Sequence, residues 1–167
     1  MEQQNRPGYG KLILVPALIT LGITLLRLGA EFMDLPSWLA NKQAGGFGAL
    51  VGISWLPPIF GIYFARKLKG FPGKHWWNLF KTLILYGLAA RIPVIIIMGL
   101  AIYGNWGTHY DAFALGTFAA ATPTTKFLRG GVFTQLFWWV LIWTVGSGML
   151  TGLISSFIRP RRSVKTH

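Results

Sequence analysis

Residues 82–104 read Thr-Leu-Ile-Leu-Tyr-Gly-Leu-Ala-Ala-Arg-Ile-Pro-Val-Ile-Ile-Ile-Met-Gly-Leu-Ala-Ile-Tyr-Gly. An apolar run of this length matches the roughly 20 residues a helix needs to cross the hydrocarbon of a bilayer. Arg91 lies near its middle. A cation at that depth costs at least about 2.5–3.5 kcal/mol to insert, so it must find a partner or face a wet interior. The segment is read as a membrane span and Arg91 as its most informative residue.

The rest of the composition agrees. The 167 residues are 53% hydrophobic and 12% charged, with a mean hydropathy of +0.49. A soluble domain carries about 25% charged residues. The length leaves room for one compact membrane domain and no separate soluble one. Three further runs join the first, giving spans at about 11–32, 47–65, 82–104 and 132–158. The fold expected is an all-α bundle of four transmembrane helices over 11–158. A polar tail (1–10) precedes it and a basic tail (159–167) follows. Arg6 and Lys11 precede a first run that is too long for a signal-peptide core and ends at Arg27 without a small-residue cleavage site, so it reads as a retained span. The 105–131 connection contains the apolar run Ala112 to Ala121, too short to cross. It is expected to be an interfacial or re-entrant helix.

Net charge is +12, from 16 Lys and Arg against 4 acids. The basic residues cluster in short segments beside apolar runs, which points to topology and anionic lipid head groups rather than nucleic acid. The N-tail together with Lys11, the 66–81 loop and the C-tail hold 11 Lys and Arg, and the other two connections hold 3. The positive-inside rule then places both termini in the cytoplasm, as in a multi-pass protein of a bacterial cytoplasmic membrane. Glu31, Asp34, His109 and Asp111 fall on the outer side.

Cysteine is absent. That excludes disulfides, iron–sulfur ligation and thiolate metal sites. None of the three histidines lies within the spans as drawn, which excludes bis-histidine haem within this chain. No HExxH, nucleophile-elbow or P-loop pattern occurs. No cofactor is expected.

Three groupings remain. Arg91 has three candidate partners: the carbonyls of Ile53 and Ser54, freed by Pro57 and Pro58 at similar depth; Glu31 or Asp34; or an anionic ligand or second subunit. Stapling of spans 2 and 3 is the plain structural alternative. Arg27 and Glu31 stand four apart on one helical face with Asp34 beyond. They form either a simple i,i+4 pair or, with Arg91, an outer-facing polar pocket. His109 and Asp111 offer two metal ligands or an acid–base pair. Two ligands are too few for a metal site, and a solvated loop accounts for both.

Gly48-x-x-x-Gly52 and Gly148-x-x-x-Gly152 supply small-residue faces on which helices approach closely. The tryptophan content and the run Trp55-Leu56-Pro57-Pro58 resemble, in composition, small tryptophan-rich membrane proteins that bind porphyrins or sterols. That likeness spans a few residues, the number of spans differs, and it assigns no family. The expectation is a non-enzymatic accessory or assembly subunit of a larger membrane complex, or a homo-oligomer. The alternatives are a small transporter or channel-like protein, or a binder of an anionic lipid or metabolite through Arg91 and Arg27; an outer-face enzyme ranks last.

Overall fold

The computed structural model describes residues 8–35, 53–69, 71–111 and 121–158. Among them all regular structure is helical. Helix α1 is Tyr9–Phe32. A single 3-10 turn, Ile53–Trp55, leads into α2, Leu56–Lys67. Helix α3 is His75–Gly104, and α4 is Pro123–Phe157. Helices α1, α3 and α4 are each long and apolar enough to cross a membrane. The described part of the second expected span is only the 12 residues of α2. Its earlier part, with Gly48 and Gly52, lies outside the described residues, as do most of the expected 112–121 helix and both chain ends.

Several boundaries differ from the sequence reading. Helix α1 starts at Tyr9, within the expected tail. Helix α3 starts at His75, so Trp76, Trp77 and Lys81 form its opening turns instead of a loop. Helix α4 starts at Pro123, placed at the first helical position where its missing amide is costless, and takes in Lys126 and Arg129. In each case polar or aromatic residues continue a helix past the end of its apolar run, and hydropathy marks only the run. Pro57 and Pro58 likewise start α2. Proline is tolerated in a first turn, and the part of the expected span that precedes Ile53 lies outside the described residues.

Three side-chain contacts set α1 parallel to α3. Tyr9 Oη donates to Asn78 Oδ1 at 2.8 Å, Thr20 and Tyr86 share a hydroxyl hydrogen bond at 2.8 Å, and Glu31 reaches His109 just beyond α3. Helix α4 runs antiparallel to α3: Leu79 and Leu83 face Gly152 and Gly148, Val140 faces Gly87, and Phe127 faces Gly99. Helix α2 runs alongside the end of α4, with Trp143 Nε1 donating to the Ser54 carbonyl and Thr151 Oγ1 to the Pro58 carbonyl, both at 2.8 Å. Chain direction therefore alternates from each helix to the next.

Glycine makes the α2–α4 contact possible. A Cβ on Gly61 would collide with the backbone of Gly148, and one on Gly148 would stand 2.5 Å from Leu83 Cδ2. The face Gly148-x-x-x-Gly152 is thus used inside the fold. Its partner is Gly61-x-x-x-Ala65, a small-residue spacing present in the sequence but not singled out there.

Helix α4 departs from α-geometry over Lys126–Ser147, where backbone bonding is i→i+5. Thr134 Oγ1 and Thr144 Oγ1 each bond the carbonyl five residues back, at 2.9 and 2.7 Å. Such bonding puts between four and five residues in a turn. The buried residues keep that step: Gly131, Gln135, Val140, Thr144. Past Ser147 the step tightens through Gly148, Gly152 and Ser155.

The core gathers Phe60 and Phe64 of α2 around Tyr86 of α3, with ring centroids 5.2 and 5.6 Å from the tyrosine. Leu79 and Leu83 complete it. Large apolar side chains cover the outside: Leu26 is 75% exposed, Phe133 61% and Phe157 78%. Hydrocarbon solvates such a surface without penalty, whereas apolar patches on water-soluble monomers are small.

Candidate functional site

Two membrane-length helices end alike, and their ends meet. At the close of α1 the Leu35 N–H bonds the Ala30 carbonyl and the Asp34 N–H bonds the Glu31 carbonyl. Asp34 takes the left-handed position, φ 53°. At the close of α3 the Trp106 N–H bonds the Ala101 carbonyl, and Asn105 is left-handed at φ 50°. Asp and Asn accept this conformation better than other side chains. The turn that follows α3 folds back onto α1.

Thr108 and Asp111 shape that turn. Asp111 Oδ1 accepts from the Thr108 N–H at 2.6 Å and hydroxyl at 3.0 Å, and Oδ2 from the Gly107 N–H at 3.0 Å. This is one half of a capping box, with an acid at the third helical position reaching back to the N-cap amide. It starts a helical turn at 109–111. The Asp111 carboxylate is thereby spent on the turn and does not converge with His109 on a ligand. No group of three or more His, Asp or Glu among the described residues is placed to hold a metal ion.

Glu31 is the hub. Its side chain is 1% exposed. Oε2 accepts the His109 backbone N–H at 2.8 Å, Oε1 lies against His109 Nδ1, and Arg27 Nε stands 3.9 Å from Oε1. The sequence pair Arg27–Glu31 thus becomes a triad with a histidine 78 positions further on. A carboxylate against Nδ1 holds the proton on that nitrogen.

Burial presses the His109 pKa below its usual 6.5, with Arg27 adding to the shift and Glu31 and Asp111 opposing it. A histidine held neutral by the fold stabilises fully above about pH 6.5. That contribution fades as pH falls through the lowered folded value, because the unfolded chain binds the proton more readily. Thermal melts should therefore show a midpoint that falls from pH 7.5 to pH 5, and His109→Gln should flatten the slope. An equally steep slope in the variant would mean another group is responsible.

Arg91 is buried, 5% exposed, and its contacts differ from those expected. Nη1 donates to Gln135 Oε1 at a long 3.4 Å. The guanidinium lies 4.4 Å over the Trp139 ring, in the range of a cation–π contact. Both partners belong to α4, so Arg91 ties α3 to α4 and not to α2. The Ser54 carbonyl is engaged by Trp143. Ile53 contributes backbone to the 3-10 turn. No carboxylate among the described residues makes an ion pair with Arg91. Gln135 also donates Nε2 to the Met98 sulfur at 3.5 Å.

Tyr110 lies between these groups. It is 4% exposed and packs with Val94, Met98 and Ala101. Burial pushes its pKa up to about 12, with both Arg27 and Arg91 near enough to pull against that rise. Its hydroxyl has no hydrogen-bond partner among the described residues. Sequence reasoning gives no site role to Tyr110, Gln135 or Trp139. Gln135 was the legible one, as the sole amide side chain in the last apolar run.

Comparison with protein-family models, with curated proteins and with solved structures finds no match for this chain. Fold and site alone define its class: an all-helical protein with three helices of membrane-crossing length and a buried arginine–tyrosine–glutamine group under one end.

Proposed function

We propose that the chain is a non-enzymatic integral membrane protein that receives an anionic group at Arg91. We place it in a bacterial cytoplasmic membrane with four spans and both termini inside. The observation that carries the binding proposal is a buried guanidinium with one long hydrogen bond and an aromatic face, but no carboxylate among the described residues. Buried charges are ordinarily paired. The alternating helix directions and the basic N-tail, 66–81 segment and C-tail support the four-span arrangement. Arg27 joins Arg91 in favouring negative charge on the outer side, though Glu31 offsets it locally.

The test is Arg91→Gln in the full chain, in phosphatidylcholine nanodiscs titrated with phosphatidylglycerol. Affinity should fall about 100-fold, the scale of truncating one partner of a buried charge contact, while helix content and melting midpoint hold. Unfolding of the variant would instead make Arg91 a structural tie between α3 and α4. Wild-type affinity in a folded variant would discard the proposal.

An accessory or self-associating role is the second reading, and one observation favours it. Gly22 and Gly29 on α1 have nothing within 4 Å of an added Cβ, and Leu25 and Leu26 between them are exposed. Seven residues apart, the glycines share a face open to a neighbouring helix. A strictly monomeric particle in native nanodiscs would remove this reading.

A further inference from the structure

The buried Tyr110 hydroxyl has no acceptor among the described residues, and the buried Arg91 guanidinium makes one long hydrogen bond, to Gln135. Tyr110 packs on Met98, the Met98 sulfur accepts from Gln135, and Gln135 accepts from Arg91. A buried phenol O–H normally has an acceptor, and this one has none among the described residues. Among the described residues nothing accepts from the Tyr110 hydroxyl and no carboxylate makes an ion pair with Arg91, which leaves room for one acceptor to serve both.

The charges nearby restrict what it is. Glu31 faces Arg27 and His109, and Asp111 spends both oxygens on the 107–108 turn. Among the described residues no ion pair puts a carboxylate in contact with Arg91. A single negative charge would balance it, and a second would be buried uncompensated. The surroundings restrict it further. Val94, Met98 and Ala101 form the wall beside Tyr110, with Leu28 and Ile97 packed against them. This setting accepts a hydrocarbon chain and offers a fully hydrated ion nothing in place of its water.

We infer that Arg91 and the Tyr110 hydroxyl together bind one monoanionic oxygen group carried on hydrocarbon, a phosphodiester or a carboxylate, with the hydroxyl as the second donor. This rests on the proposal that Arg91 receives an anion, and adds to it the second donor and the class of ligand. Arg91 supplies the charge and the planar fork that fits a two-oxygen group. Tyr110 supplies a neutral donor on the outer side of Arg91. Glu31 positions it, because the Glu31–His109 contact fixes the residue next to Tyr110.

The experiment uses the full chain in phosphatidylcholine nanodiscs, with native mass spectrometry reading retention of three probes: phosphatidylglycerol, oleate and inorganic phosphate. Tyr110→Phe keeps the ring and deletes the donor. It should weaken retention of the amphiphile about 10-fold, the scale of one hydrogen bond to a charged group, with an unchanged melting midpoint. Arg91→Gln should weaken it about 100-fold. Arg91→Lys, which keeps charge without the fork, should lie between and serves if the glutamine variant does not fold. Retention of phosphatidylglycerol alone assigns a phosphodiester, and of oleate alone a carboxylate; either supports the site. Wild-type retention by Tyr110→Phe with loss in the Arg91 variants overturns the second donor and leaves the Arg91 proposal standing. No loss in any variant overturns both. Inorganic phosphate bound as well as the amphiphiles overturns the hydrocarbon requirement.

Discussion

Glu31→Ala should lower stability by about 3–5 kcal/mol, the scale of removing one partner from a buried charged contact. The side chain is almost wholly buried and meets three groups: the His109 N–H, His109 Nδ1 and Arg27. Alanine leaves all three without their acceptor. Glu31→Gln keeps an acceptor for the His109 amide and should lose roughly half as much, since a neutral hydrogen bond is about half as strong as a charge-assisted one. Equilibrium unfolding in mixed micelles would measure both. Hydrogen exchange should further localise the damage to residues 105–111 and the last turn of α1. Equal losses in the two variants would show that the charge on Glu31 contributes nothing.

Gly61→Ala should be nearly as costly, about 3 kcal/mol, at the upper end of overpacking effects. The new methyl would meet the carbonyl oxygen and Cα of Gly148, and these are backbone atoms. A flexible side chain would yield, but a helix backbone moves only as a unit. Helices α2 and α4 must therefore separate, and the Thr151–Pro58 and Trp143–Ser54 bonds stretch with them. Gly146→Ala, where nothing lies within 4 Å, is the matched control and should be neutral. A neutral result at Gly61 as well would mean that α2 does not pack as closely as its glycine permits.

Much of this arrangement can be read along the chain. Runs of apolar residues mark the long helices, because length and hydropathy are local properties. Arg91 stands out for the same reason. The full buried face of α4 does not, because i→i+5 bonding over Lys126–Ser147 changes which residues share a face. At an α-helical pitch Gln135 and Val140 fall on different sides; in the widened helix they follow each other on one side. The Glu31–His109 contact was legible only as far as both residues being placed at the same end, since nothing in the spacing joins positions 78 apart. The capping residues Thr108 and Asp111 do announce a helix start, a signal that pairing Asp111 with His109 as ligands, or assigning both to a solvated loop, passes over.

The Tyr9–Asn78, Thr20–Tyr86 and Glu31–His109 contacts sit at the bottom, middle and top of the α1–α3 seam. In hydrocarbon one leucine contact is as good as the next, so apolar packing alone lets parallel helices slip past each other by a turn. Three spaced polar rungs forbid that slip, because a one-turn slide breaks all of them together. At about 0.6 kcal/mol for a typical interhelical hydrogen bond in a bilayer, the two neutral rungs are worth roughly 1.2 kcal/mol, about an 8-fold preference for one alignment before the charged Glu31 rung is added. The seam works as a vernier: it holds Arg91 at one fixed height relative to Tyr110 while leaving the outer faces free to be featureless oil.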